Sequence, residues 1–181
     1  MTLSKALLVA GGLALALTPQ ARAQHPQVRD GLWGGFGIGF GSLGCEECDE
    51  RSTSFSGYGK IGGTVSRKVL IGFEANGWVK EEDGATLSMS NGSAVIYFYP
   101  SLEGGLHLKG GLGVSVLELS LDFGGGTLSD SETGGGGMLG IGYDIRVARN
   151  MSLTPGLNFL GGSFDGGSAN FWQLVVGLTW H

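Results

Sequence analysis

From Gly31 onward, apolar residues alternate with polar or small ones in eight stretches: 31–42, 55–65, 69–80, 87–99, 106–119, 135–146, 151–162 and 169–180. A period of two is the spacing of side chains on one face of a β-strand, so each stretch predicts a strand. Their even spacing along the chain predicts a single all-β domain. The connections alternate in kind. Ser66-Arg67-Lys68, Pro100-Ser101 and Ala148-Arg149-Asn150 are short, whereas 43–54, 81–86, 120–134 and 163–168 read as longer loops rich in Gly, Ser and acids. Eight strands with short turns at one end and longer loops at the other describe an eight-stranded antiparallel up-and-down barrel of the transmembrane kind.

Charge decides which register faces where. One register collects Phe36, Ile38, Phe40, Ile71, Phe73, Leu112, Leu139, Leu157 and Leu174, while the other collects Tyr58, Asn76, His107, Asn158, Gln173 and the charged Lys60, Glu74, Lys109, Asp144 and Arg146. A soluble barrel would turn the apolar register inward; a membrane barrel turns it to lipid and keeps polar groups in the lumen. The strand ends favour the membrane. Tyr97, Tyr99, Tyr143 and Trp180 fall near short turns on the register assigned outward, where an interfacial aromatic girdle would sit. On the fourth stretch that assignment also places Asn91 and Ser93 outward. Counting outward from Arg67 sets Lys60 opposite Glu74, which predicts an ion pair in the lumen extended by Lys109, Asp144 and Arg146.

Composition sharpens this picture. Of the 181 residues, 37 are glycine and only 4 proline, and the glycines are interleaved with apolar residues inside the strands, where backbones approach closely. Residues 1–23 read as a secretory signal, with Lys5 before an apolar run and Ala21-Arg22-Ala23 as the cleavage site, leaving 24–181 as the barrel domain. The chain carries 16 acidic against 11 basic residues, and removing the signal takes Lys5 and Arg22 away. That balance excludes nucleic acid as a partner.

Candidate chemistry is sparse. Cys45 and Cys48 form a C-x-x-C within an acidic run on the first long loop, and in an exported chain such a pair predicts a disulfide. Two thiols do not complete a tetrahedral zinc site, and the loop acids lack the spacing of a calcium loop, so neither metal nor cofactor is expected. Gly135-Gly-Gly-Met-Leu-Gly140 satisfies a dinucleotide pattern, but strand-like residues follow it instead of a helix. His107 has no nucleophile and acid at catalytic spacing.

The strand plan, together with Gln173-Leu-Val-Val-Gly-Leu-Thr-Trp180 followed by His181, resembles the OmpA/OmpX-like family of small outer-membrane β-barrels. The resemblance implies a monomer of the bacterial outer membrane, in contact with its lipids and inserted by the assembly machinery that reads the C-terminal strand. It implies a non-enzymatic role in envelope integrity or surface interaction, with small-solute passage as a minor variant. A periplasmic lipocalin-like binder and an outer-membrane lipid-modifying hydrolase are the alternatives.

Overall fold

The computed structural model describes residues 29–46, 50–82, 84–122 and 126–181. The expected signal and Cys48 lie outside the described residues. The strands are β1 (Leu32–Cys45), β2 (Ser52–Ser66), β3 (Val69–Glu82), β4 (Ala85–Phe98), β5 (Leu106–Asp122), β6 (Thr127–Tyr143), β7 (Ile145–Ala148), β8 (Met151–Phe164) and β9 (Gly167–Trp180). They run in the order β6-β5-β4-β3-β2-β1-β9-β8-β7, and pairing of β6 with β8 closes the sheet. β7 prolongs β6 beyond Asp144, whose backbone N–H donates to the Gly105 carbonyl at 2.9 Å, so the wall is an eight-stranded antiparallel barrel.

The alternation of the sequence becomes the two faces of this wall. Phe36, Ile38, Phe40, Phe73, Leu112, Leu139 and Leu174 stand exposed on the outside, whereas Lys60, Glu74, Lys109, Asn158 and Gln173 are buried within. So large an exposed apolar belt is stable only against lipid, and the barrel is transmembrane. A lipocalin-like barrel would have the opposite polarity.

Inward glycines let the wall close around large side chains. Gly62 and Gly72 face each other across β2 and β3. A Cβ on Gly62 would lie 2.6 Å from Trp33 Cζ2, and one on Gly72 would lie 2.9 Å from the same atom. Only bare backbone admits the indole at that depth.

The connections expected to be long are mostly strand. β5 and β6 continue in register from Ser115↔Gly134 to Asp122↔Thr127. Ser, Thr, Asp and Glu in 120–134 read as loop, yet a β-ladder is held by backbone hydrogen bonds and tolerates them on a solvated hairpin. β3 and β4 pair up to Glu82↔Ala85, with Gly84 at φ +80°, and β8 and β9 pair up to Phe164↔Gly167, with Gly167 at φ +138°. Both are tight hairpins that exploit glycine in the left-handed half of backbone space. β5 and β6 each have 17 residues, well beyond the roughly 9–11 that cross a bilayer; their hairpin is matched by β3–β4, since β4 pairs with β5 up to Ala85↔Leu121, and it extends past β8, whose pairing with β6 ends at Gly135↔Ser163.

Candidate functional site

The lumen is built from the inward register of every strand. Near the short turns, Asp144 accepts hydrogen bonds from Tyr99 OH at 2.8 Å and Thr154 Oγ1 at 2.7 Å. His107 Nδ1 lies 3.9 Å from the same carboxylate and His181 Nε2 lies 3.6 Å from it. The His107 ring sits between Tyr97 and Tyr99, with centroid distances of 5.4 and 5.2 Å. Arg29 lies over the Tyr99 ring and donates to the Gly104 carbonyl, closing this end. Arg146 is buried at the same level, on β7.

At mid-depth, Glu74 Oε1 accepts from Lys109 Nζ at 2.5 Å, and its other oxygen accepts from Tyr97 OH. Lys60 is the residue opposite Glu74 in the β2–β3 ladder, as counting from Arg67 predicts. The ion pair expected between those two is not formed. The Lys60 ammonium instead faces the rings of Tyr97, Tyr58 and Trp33, at 5.2, 5.6 and 5.8 Å from their centroids. Ring faces attract a cation, and this aromatic corner holds Lys60 while Lys109 reaches Glu74 across β4.

Farther from the short turns, a hydrogen-bond relay runs round the wall. Asn158 Nδ2 donates to Gln173 Oε1 at 2.7 Å, Gln173 Nε2 to Ser56 Oγ at 2.7 Å, and Ser56 Oγ to the Gly77 carbonyl at 2.6 Å. Beyond it the lumen turns apolar. Trp78, Met89, Leu160 and Phe171 are fully buried there, and Trp78 Nε1 is satisfied by the Gly41 carbonyl at 2.9 Å. Nothing in the charge pattern distinguishes this stopper, because Trp78 shares its register with Glu74 and Asn76.

The girdle assignment needs correction at two positions. Tyr97 and Tyr99 are each 1% exposed and point into the lumen, not to lipid. β4 is inverted relative to the expected register: Asn91, Ser93, Val95, Tyr97 and Tyr99 face inward, and Ile96 and Phe98 are exposed outside. The physical reason is hydrogen bonding, since Glu74 and Asp144 need donors and the two phenols supply them. Asn91 and Ser93 carried the signal, having the same parity as the tyrosines. Tyr143 and Trp180 stand on the outer face near the short turns, opposite Leu106 and Met151.

At the other end, Arg51 joins β1 to β9. Its Nη1 donates to Asn170 Oδ1 at 2.9 Å and its Nε to Ser42 Oγ at 3.2 Å. Cys45 ends β1 beside this contact, opposite Ala169. Its pairing with Cys48 falls partly outside the described residues.

One feature at this end was not legible in the sequence. β6 pairs with β8 only over 135–142, so between 127 and 134 the outer side of β6 has no ladder partner among the described strands. Residues 128–133 are exposed throughout, and no Lys, Arg or His occurs between Lys109 and Arg146. Glu118, Asp122, Asp130 and Glu132 therefore give this hairpin an unbalanced acidic character.

No family model and no curated protein matches this sequence. Among solved structures, Ail, the attachment invasion locus protein of Yersinia pestis, aligns over 83% of this chain and 99% of its own, with a TM-score of 0.59 and 14% identity. Neisserial surface protein A aligns over 85% and 99%, with a TM-score of 0.60 and 16% identity. The fold is that of the small eight-stranded outer-membrane barrels. At such low identity the likeness concerns the strand plan. The lumenal side chains of this barrel stand on their own geometry.

Proposed function

We propose that the protein is a monomeric, non-enzymatic barrel of the outer membrane that acts at the cell surface by presenting the acidic free edge of its β5–β6 hairpin. The observation that carries this reading is the unpaired side of β6 over 127–134, standing beyond the membrane-spanning wall with Asp130 and Glu132 on it. An edge strand offers a row of backbone donors and acceptors to an incoming strand. Its charge selects for basic segments, so the partner class is an extended, lysine- or arginine-bearing peptide of another protein. That the similar structures include an attachment invasion locus protein and a surface protein supports a role of this kind. Solute passage is not favoured, since Trp78, Met89, Leu160 and Phe171 fill the outer lumen. Lipid hydrolysis is not favoured either, because His107 is enclosed between two tyrosines. Assembly is proposed to use β9 as the strand read by the insertion machinery.

The test uses the protein reconstituted in vesicles and an alternating Lys-Val peptide as probe. Binding is expected to weaken with salt and to disappear both in D130K/E132K and when 119–130 is replaced by an Asn-Gly turn. Equal binding by these variants and the wild type would overturn the reading.

A further inference from the structure

We propose that the lipid face of the barrel holds one anionic phospholipid, with an acyl chain in a groove across β3, β4, β5, β6 and β8 and its phosphate at Arg67 and Lys68. The groove measures about 1070 Å³. Its floor is made of small residues, Ala94 on β4, Gly110 on β5, Gly137 on β6 and Gly161 on β8, and its sides are apolar. It opens on the outside of the wall, where Leu139 is 65% exposed and a Cβ on Gly161 would meet nothing within 4 Å. Phe159 packs against Trp172 of β9, with ring centroids 4.8 Å apart, and so fixes one end.

The direction of the groove selects its occupant. Ile71, Ile96, Gly110, Leu139 and Phe159 are successive ladder partners, one row across the five strands. Ile71 is the third residue of β3 counted from the short-turn end, whereas Phe159 is the ninth of β8. The row therefore climbs from the short-turn rim toward the middle of the wall. An acyl chain takes that path when its head group lies at the short turns and its methyl end near the bilayer centre. Short turns of outer-membrane barrels face the periplasm, so the lipid belongs to the inner leaflet.

Charge at the foot of the groove selects the head group. Arg67 precedes Ile71 by four residues, at most about 13 Å of extended chain. Arg67 and Lys68 are both exposed. Ser66 Oγ accepts from the backbone N–H groups of Lys68 and Val69 at 3.3 and 3.1 Å, which steadies the turn that carries them. A phosphate of net negative charge gains from two such cations, whereas a zwitterionic head group brings a cation of its own. The neighbouring connection, 99–105, carries Glu103 and neither Lys nor Arg, so the attraction is confined to the β2–β3 turn.

The experiment is electron paramagnetic resonance on phosphatidylcholine vesicles containing the refolded protein, with a spin label near the chain end of either phosphatidylglycerol or phosphatidylcholine. The motionally restricted fraction is expected to favour phosphatidylglycerol several-fold in the wild type. That selectivity should vanish in R67Q/K68Q, and also in G161L, whose new side chain fills the groove. It should persist in G59L, because Gly59 is an equally open position on β2, away from the groove. A wild type without selectivity would overturn the proposal, whether a second copy or any neighbouring chain then covers the groove. Selectivity surviving in R67Q/K68Q would place the head group elsewhere, and selectivity surviving in G161L would mean that the turn attracts lipid without the groove. Either result overturns the proposal, as does equal loss in G59L and G161L. If G161L does not fold, A94F fills the same floor and is read in the same way.

Discussion

Lys109 Nζ lies 2.5 Å from Glu74 Oε1, although the residue directly opposite Glu74 in its own hairpin is Lys60. The lumenal ion pair thus joins β3 to β5 across the inward face of β4. Removing one partner of a buried pair typically costs about 3–5 kcal/mol, because the other charge is left without compensation. E74A should lower the unfolding midpoint clearly, while E82A, at the exposed end of β3, should leave it nearly unchanged. Urea titration in detergent would check both. The double variant E74A/K109A should lose less than the sum of the singles, and by a wider margin than E74A/K60A.

The inward and outward glycines should respond differently to the same substitution. A Cβ on Gly72 would stand 2.8 Å from Gly62 Cα and 2.9 Å from Trp33 Cζ2, whereas one on Gly59 meets nothing within 4 Å. G72A should therefore destabilise the barrel by about 1–3 kcal/mol, the usual penalty of overpacking. G59A should be neutral or slightly stabilising, since it removes freedom from the unfolded chain. Parallel unfolding curves would show the contrast.

Two tryptophans divide stability from insertion. Trp33 is buried and stacks edge-on against Tyr97, at a centroid distance of 4.9 Å and an angle of 67°. W33A should lower the midpoint by about 3–5 kcal/mol equivalent, as large aromatic truncations in a core do. Trp180 lies on the lipid face, and W180A should slow insertion into vesicles while shifting the midpoint little. Stopped-flow insertion kinetics beside equilibrium unfolding would separate the two effects.

The cysteines make a simple chemical prediction. Cys45 and Cys48 of the exported protein should lack two hydrogens between them in intact mass spectrometry. Reduction should barely change the unfolding midpoint, because a loop this short constrains the unfolded chain little.

What the sequence disclosed, and what it concealed, follows from how far each signal reaches. Lys60, Glu74 and Lys109 lie on strands whose other register is apolar around them (Ile61 and Phe55, Ile71 and Phe73, Leu108 and Leu112), so their inward direction could be read by parity alone. β4 defeated that logic because both of its registers carry large residues, Tyr97 and Tyr99 on one and Ile96 and Phe98 on the other. Only the amide and hydroxyl of Asn91 and Ser93 break the tie. The Lys109–Glu74 contact was hidden for another reason: ladder counting relates adjacent strands, and this pair skips one. The unpaired edge of β6 was concealed by composition, since Ser, Thr, Asp and Glu resemble loop chemistry until a neighbouring strand supplies their backbone partners.

Arg51 has a role in time as well as in space. The β1–β9 ladder, from Gly34↔Trp180 to Cys45↔Ala169, joins the two ends of the chain. It is the contact of greatest sequence separation and so the last to zip when the sheet curls shut. The guanidinium, bound to Ser42 on one lip and Asn170 on the other, can engage only after that seam has met. Arg51 is thus a latch, set after closure on the side facing away from the short turns. A force or a chaperone that reopened the cylinder along this line would have to release it first.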